Sequence, residues 1–160
     1  MQEEKSFQFT YRLIHHWNAL EEADQSLVKD AFAAMENAYA PYSKFKVGAA
    51  ALLDNQEVIC GSNQENIAYP SGLCAERVAL NYAGAAFPGI AVRVLCIVAK
   101  GDLMPMDQLL SPCGGCRQVM LESENRQKSP IRIIMVNQDG STMMLEKVQD
   151  LLPFGFGSFQ

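Results

Sequence analysis

Residues 74–99 read CAERVALNYAGAAFPGIAVRVLCIVA and join a helix-like segment to a strand-like one. Its first half, residues 74–86, is rich in Ala, Leu and Val and predicts an α-helix. Its second half, residues 92–99, is a mostly continuous apolar run, which indicates a strand that is buried on both faces. A helix followed directly by a buried strand is typical of an α/β sheet with helices packed on it.

The flanking sequence continues this alternation of strands and helices. Helical spacing predicts a helix from about Asp24 to Pro41 and another over residues 113–124, and a short one over residues 146–152 stops at Pro153. Strands are expected at residues 7–13, 45–53, 57–60, 131–136 and 142–145. Residues 63–72 and 101–111 look like connections.

Size and charge limit the classes of function. A chain of 160 residues is about one domain, and 49% hydrophobic with 19% charged residues is typical of a soluble globular protein. Thirteen basic against eighteen acidic residues give a formal net charge of -5, with the basic ones scattered, which argues against a nucleic-acid partner. Neither a secretory signal at the amino terminus nor a membrane-spanning apolar run is visible, so we expect a cytoplasmic protein with no membrane partner.

Five cysteines need an explanation other than a disulfide framework. Cys60 and Cys96 lie among apolar, strand-like residues, where a small buried side chain is the expected role. Cys74, Cys113 and Cys116 each lie where a predicted helix begins. Unpaired backbone N–H groups gather there with the positive end of the helix dipole, and both favour the thiolate that binds a metal.

The two cysteine segments read Cys74-Ala75-Glu76 and Pro112-Cys113-Gly114-Gly115-Cys116. Three thiolates suit zinc and leave a fourth position for water, as in a catalytic rather than a structural site. A carboxyl group two residues after the first thiol could move protons there. His15 and His16 are expected to serve packing rather than ligation.

Three thiolates on a divalent ion leave the site formally anionic, so a positive group should lie close. Arg77, next to Glu76, is the candidate donor to a cysteine sulfur, and a solvated helix arginine is an equally good interpretation. Arg117 has the same two interpretations, with the solvated one favoured.

The chain resembles the small cytidine deaminases over about residues 38–156. The similarity rests on residues 39–50 (YAPYSKFKVGAA), 63–66 (NQEN), 74–77 (CAER), 111–119 (SPCGGCRQV) and 151–153 (LLP). The resemblance implies a three-layer α/β fold with a mixed central sheet of about five strands and helices on both faces. It also implies a homotetramer that binds Zn²⁺ and hydrolytically deaminates cytidine and deoxycytidine in pyrimidine salvage.

The same resemblance assigns roles to individual residues. Cys74, Cys113 and Cys116 would hold zinc, and Glu76 would be the proton carrier. The substrate-binding residues would be Phe45 on the pyrimidine, Asn63 and Glu65 on the ribose and base, Ala75, and Phe156 from a neighbouring subunit. Without the resemblance, Phe45 would be a core strand residue and Asn63 and Glu65 ordinary turn residues, and Phe154 competes with Phe156.

Residues 1–160 are expected to form one deaminase domain, in which residues 1–20 are an amino-terminal extension. Two other functions stay open. A structural zinc module would need a fourth ligand, such as Cys60 or a histidine, and would leave Glu76 at the surface. A deaminase acting on a nucleoside antibiotic would need only small loop changes, whereas the acidic charge disfavours an RNA or DNA substrate.

Overall fold

The computed structural model describes residues 2–106 and 108–157, which form three helices and six strands. The helices are α1 (Glu22–Glu36), α2 (Ala75–Ala86) and α3 (Gly114–Gln127). The strands are β1 (Arg12–Ile14), β2 (Phe45–Leu53), β3 (Val58–Ser62), β4 (Val92–Gly101), β5 (Arg132–Val136) and β6 (Thr142–Leu145). Short 3-10 turns lie at Trp17–Ala19, Tyr69–Ser71 and Val148–Leu151.

The strands form a single mixed sheet in the order β1-β6-β5-β4-β2-β3. β4 and β5 are parallel and are connected through α3, whereas the other neighbouring strands are antiparallel. The sheet has the six strands that the sequence pattern predicts, one more than the resemblance implies, because the edge strand β1 pairs with β6. This strand begins only at Arg12, so the prediction of a strand from residue 7 was too long.

Helices cover both faces of the sheet, as expected. Alternate residues of the central strands point to opposite sides, so Ala50, Cys96 and Ile134 pack against α1. Their neighbours Ala51, Ile97, Ile133 and Met135 pack with α2 and α3 on the other face. β4 is therefore buried on both faces, as its apolar run predicts.

Two predicted helices are shorter in the structure. α1 ends at Glu36 instead of Pro41. Shortly after its end, the N–H of Tyr39 bonds to the carbonyl of Asn63 and not to a helical partner. The predicted helix over residues 146–152 is only the 3-10 turn Val148–Leu151. The buried carboxylate of Glu124 accepts hydrogen bonds from the N–H groups of Val148 (2.7 Å) and Gln149 (3.1 Å), which holds this turn against α3.

One cysteine prediction is confirmed and one is wrong. Cys96 is fully buried in the central strand β4. Cys60 is exposed, because β3 is the edge of the sheet and its residues alternate between covered and open positions.

Part of the predicted amino-terminal extension is built into the sheet. Beyond the pairing of β1 with β6, Arg12 forms an ion pair with Glu146, and the N–H of Trp17 donates to the carbonyl of Gly140 at 2.9 Å. The indole of Trp17 also packs against Phe32 of α1. Of the helices in the described ranges, none combines the length and the apolar character needed to cross a membrane.

A glycine at position 61 sets how closely α2 approaches the sheet. A Cβ atom there would lie 2.6 Å from the carbonyl oxygen of Ala75 and 2.7 Å from the amide nitrogen of Ala79. Both contacts are with backbone atoms of α2, which cannot rotate away. The first turn of α2, which carries Glu76, is therefore held directly against β3.

We expect Gly61→Ala to lower the free energy of unfolding by about 3 kcal/mol, the upper end of the usual cost of overpacking, because α2 must move off the sheet. Gly84→Ala is the matched control within α2, since among the described residues a Cβ atom there meets only the movable guanidinium of Arg126, at 3.3 Å. It should leave stability unchanged or raise it by about 0.5–1 kcal/mol. Urea unfolding measures both; equal stability of the two variants would contradict the close approach.

Candidate zinc centre and active site

The three cysteines of the predicted metal site lie at the amino-terminal ends of two helices. Cys74 is the N-cap residue of α2, and Cys113 is the N-cap residue of α3. Cys116 lies in the first turn of α3, and its backbone N–H points to the sulfur of Cys113 at 3.5 Å. Both helices lie on the same face of the sheet, so their amino termini bring the three side chains together.

The spacing of the three sulfur atoms fits a zinc ion. All three sulfur atoms lie within 4.8 Å of one another. Sulfur ligands about 2.3 Å from a tetrahedral zinc are roughly 3.8 Å apart, which falls within that limit. Within residues 2–106 and 108–157 this trio is the group with metal-ligand geometry. Three protein ligands leave one tetrahedral position for water, which is the arrangement of a catalytic zinc site.

The side chains considered as a fourth ligand have other neighbours. The sulfur of Cys60 lies 3.9 Å from the carbonyl oxygen of Asp30 in α1. The ring of His16 stacks on Trp17, and its Nδ1 accepts a hydrogen bond from Asn18. Neither joins the three-sulfur group.

The environment of the sulfurs favours thiolate at Cys74. Its pKa is lowered to about 5, chiefly by the hydrogen bond from the thiol of Cys116 and also by the guanidinium of Arg77. The pKa of Cys116 is raised, because its thiol donates that bond and is desolvated. Cys116 thus donates its proton towards the Cys74 thiolate, and thiolate ligands lose such protons when they bind a divalent cation.

Arg77 supplies the positive charge that such a site requires. Its Nη2 lies 3.6 Å from the sulfur of Cys74 and also donates to the carbonyl of Gly72 at 3.2 Å. Its Nε is buried without a hydrogen-bond partner among the described residues. These contacts favour the interpretation of Arg77 as a donor to a cysteine sulfur over that of a solvated arginine.

Arg117 has a different position. Its guanidinium donates to Pro112 O (2.9 Å), Ser111 Oγ (2.7 Å) and Leu151 O (3.0 Å), and its bonds include none to a sulfur. It therefore fastens the segment just before Cys113 and the turn after β6 to α3.

Glu76 lies in the first turn of α2, and its side chain points inward. The residue is 5% exposed. Burial raises the pKa of its carboxyl group to about 7, and the nearby Cys74 thiolate adds to the rise, while a hydrogen bond from Cys116 opposes it. A carboxyl group beside the sulfurs with a pKa near neutrality can both take up and release a proton.

A cavity of about 430 Å³ opens in front of Cys74 and Arg77. Asn63 and Glu65, the predicted sugar-binding residues, line it together with Tyr42 and Tyr69. The two tyrosine rings meet edge to face, 6.2 Å apart. Sequence reasoning did not single out either tyrosine as a site residue, although Tyr42 lies within the YAPYSKF segment.

Asn63 and Glu65 also hold the turn before β2. Asn63 donates to Phe45 O at 2.9 Å and accepts from Val47 N at 2.8 Å. The carboxylate of Glu65 accepts from the N–H groups of Tyr42 (2.9 Å) and Ser43 (3.2 Å) and from the Ser43 hydroxyl. These bonds lower the pKa of Glu65, despite some desolvation, so its carboxyl group is anionic.

The remaining predicted substrate residues lie in contrasting environments. Phe45 is 8% exposed and belongs to the core, and Ala75 is fully buried. Phe156 is 84% exposed, and Gln118 of α3 holds its backbone through two hydrogen bonds, to Phe156 O at 2.6 Å and from Phe156 N at 2.9 Å. Phe154 is 94% exposed, and its backbone has no such bond in the described part of the chain.

Comparison with known proteins agrees with this geometry. Residues 21–129 match the model of the cytidine and deoxycytidylate deaminase zinc-binding region. The cytidine deaminase of Halalkalibacterium halodurans is 37% identical over 82% of this chain and 92% of its own length. That of Mycobacterium tuberculosis is also 37% identical, over 80% of this chain and 85% of its own.

Solved structures show the same similarity. The crystal structure of cytidine deaminase from Burkholderia pseudomallei superimposes with a TM-score of 0.71 at 39% identity, covering 82% of this chain and 97% of that one. The Mycobacterium tuberculosis enzyme gives a TM-score of 0.61 at 35% identity, covering 83% and 96%. The chain belongs to the cytidine and deoxycytidylate deaminase family, whose matched region binds zinc.

We expect Cys113→Ala to abolish stoichiometric zinc binding and to lower stability, since thiolate ligation is coupled to folding. Cys60→Ala, which changes an exposed cysteine outside the trio, should keep about one zinc ion per chain. Plasma emission spectroscopy on the purified proteins measures the metal. Full zinc occupancy in Cys113→Ala would show that Cys113 is not a ligand.

Proposed function

We propose that this chain is a zinc-dependent cytidine deaminase that converts cytidine and deoxycytidine to uridine and deoxyuridine, with water consumed and ammonia released. The observation that carries the proposal is the buried carboxyl group of Glu76 beside three sulfurs that fit one zinc ion. Relatives and solved structures named cytidine deaminase match over most of the chain.

Zinc held by Cys74, Cys113 and Cys116 would supply an acidified water molecule as the nucleophile. Glu76 would take one proton from the water and deliver it to the ring nitrogen next to the amino-bearing carbon, as the water oxygen bonds to that carbon. The same carboxyl group would carry the second proton of the water to the amino group, whose bond to the ring carbon breaks, so that ammonia leaves and the carbonyl of uridine remains. Arg77 offsets the negative charge of the thiolates.

The substrate is proposed to occupy the cavity lined by Asn63 and Glu65. A carboxylate and an amide suit the hydroxyl groups of a ribose, since both offer oxygen acceptors and the amide also donates. Phe45 and Ala75 lie outside the lining of this cavity, in the core shared by β2 and α2, and would limit how deep the base can reach.

We propose a homotetramer in which Phe156 of one subunit reaches the active site of a neighbour. Gln118 fixes the backbone at Phe156 while the ring stays open to a partner. Phe154 is equally open but lacks the clamp, so Phe156 is the better candidate. A cytoplasmic role in pyrimidine salvage agrees with a free nucleoside as the substrate.

A nucleoside antibiotic is the second candidate substrate, because Tyr42 and Tyr69 line the cavity with exposed rings on which a modified sugar could pack. The net charge of -5 gives no support to an RNA or DNA substrate. A structural zinc module would need a fourth protein ligand on the metal, and it would not require the buried carboxyl group of Glu76.

Loss of the amino chromophore, measured separately with cytidine, deoxycytidine and cytosine, tests the proposal. The two nucleosides should react and the free base should not, because cytosine has no sugar for the sugar-binding residues to hold. Glu76→Gln should keep its zinc and lose turnover by about 100- to 10,000-fold or more, the range of general acid–base catalysis.

Glu122→Gln is the matched control, since Glu122 is an exposed carboxyl group on α3, and it should retain full activity. Turnover of neither nucleoside by the zinc-loaded protein would reject the function. Undiminished turnover by Glu76→Gln would reject the role of that residue alone.

Coexpression distinguishes a shared active site from a self-contained one. Phe156→Ala should lower kcat/KM for cytidine by about tenfold or more, since a stacked aromatic ring is worth about 1–3 kcal/mol per base. Phe154→Ala should change it less. Mixed oligomers of Phe156→Ala and Glu76→Gln chains contain sites with both residues intact, so their activity should exceed that of Phe156→Ala alone. No gain on mixing would contradict a residue contributed by the neighbour.

A further inference from the structure

Two consecutive amide side chains follow β5 and hold the connection between β4 and α3. The structure describes residues 102–106 and 108–111 of this connection, which leads directly into Pro112 and Cys113. Asn137 and Gln138 bond to its two ends. Neither residue stood out in the sequence, where residues 138–140 read as an ordinary turn.

Asn137 fastens the end of the connection that is nearer the metal site. The residue is 2% exposed, and its Oδ1 accepts a hydrogen bond from the N–H of Leu110 at 2.6 Å. Its Nδ2 donates to the hydroxyl of Ser141 at 2.8 Å, so both ends of the amide are occupied. A buried N–H at Leu110 would lose its partner if this oxygen were removed.

Gln138 fastens the beginning of the same connection. Its Oε1 accepts from Gly101 N at 3.0 Å, and its Nε2 donates to Gly101 O at 2.9 Å and to Met104 O at 3.1 Å. Gly101 in turn lies against β2, where a Cβ atom would be 2.8 Å from Phe45 Cα and 3.1 Å from the Phe45 ring. Gln138 therefore supports the backbone on which Phe45 rests.

Cys113 follows the segment that Asn137 holds, and it is the most exposed of the three cysteines. Cys116 is fully buried within α3, and Cys74 contacts Arg77. Cys113 is exposed at the start of its helix. The three residues before it are held by Arg117, which belongs to α3 itself, and by Asn137, which belongs to the sheet.

We propose that Asn137 and Gln138 are positioning residues of the active site, Asn137 for the zinc ligand Cys113 and Gln138 for Phe45. The two residues after β5 thus hold the backbone beside Phe45 and the segment before Cys113. The part that concerns Phe45 rests on the proposed function, whereas the part that concerns Cys113 rests only on the zinc site.

Zinc release from the zinc-loaded protein to a chromogenic chelator tests the role of Asn137. Asn137→Leu, similar in size but without polar atoms, should release zinc about tenfold faster or more, the usual effect of removing a group that orients a metal ligand. Asn137→Asp keeps an acceptor for the Leu110 N–H and should restore most of the slow release. Asn137→Ala leaves room for water and replaces the leucine variant if that does not fold.

Gln127→Leu is the control for a merely structural effect. Gln127 also clamps a backbone with a side-chain amide, bonding to Val92 N at 2.9 Å and Val92 O at 2.8 Å, but at the opposite end of β4 from Gly101. It should lower the urea midpoint while leaving zinc release unchanged. Equal rates of release from Asn137→Leu and Gln127→Leu at matched stability would overturn the role of Asn137.

Gln138→Leu should raise KM for cytidine with a smaller effect on kcat and on zinc release, because it disturbs Phe45 and leaves Cys113 in place. A fall in kcat with unchanged KM would overturn this part. If the wild-type protein deaminated no nucleoside, the proposed function would fail, and the zinc-release comparison would still decide the role of Asn137.

Discussion

Three thiols and one carboxyl group lie in one small volume, where they repel one another when ionised. The groups around them must offset this repulsion. Two helix amino termini converge on the sulfurs and favour the thiolate form there. The guanidinium of Arg77 lies against one sulfur. Burial keeps the pKa of Glu76 near neutrality, so the fourth group is ready to exchange a proton. A divalent cation completes this balance of charge.

The topology of the sheet places the amino termini of α2 and α3 close together. α2 and α3 share one face, because α3 connects the two parallel strands and α2 packs beside it on the same core. α1 covers the opposite face and takes no part in the site. The backbone contact at Gly61 then fixes the height of α2 above the sheet, and with it the depth at which Glu76 lies.

Side-chain amides fasten the irregular parts of the site to this regular frame. Asn63 bonds to the carbonyl of Phe45 and the N–H of Val47 in β2, Gln118 holds the backbone at Phe156, and Asn137 and Gln138 hold the connection that leads to the metal site. Each amide both donates and accepts, so one side chain can replace the missing strand or helix partners of a loop. These irregular segments are thereby held without regular secondary structure of their own.

The sequence alone determined the alternation of helices and strands, the buried central strand and the three cysteines with Glu76, because periodicity and ligand spacing are local properties. It could not determine that β1 begins only at Arg12 or that Cys60 is exposed on an edge strand. Nor could it determine that the last predicted helix is a single turn bonded to Glu124. Nor could it identify Asn137 and Gln138, since amide side chains occur at many turns. Those features depend on which strands become neighbours, and only the folded chain brings residues distant in sequence within hydrogen-bonding range.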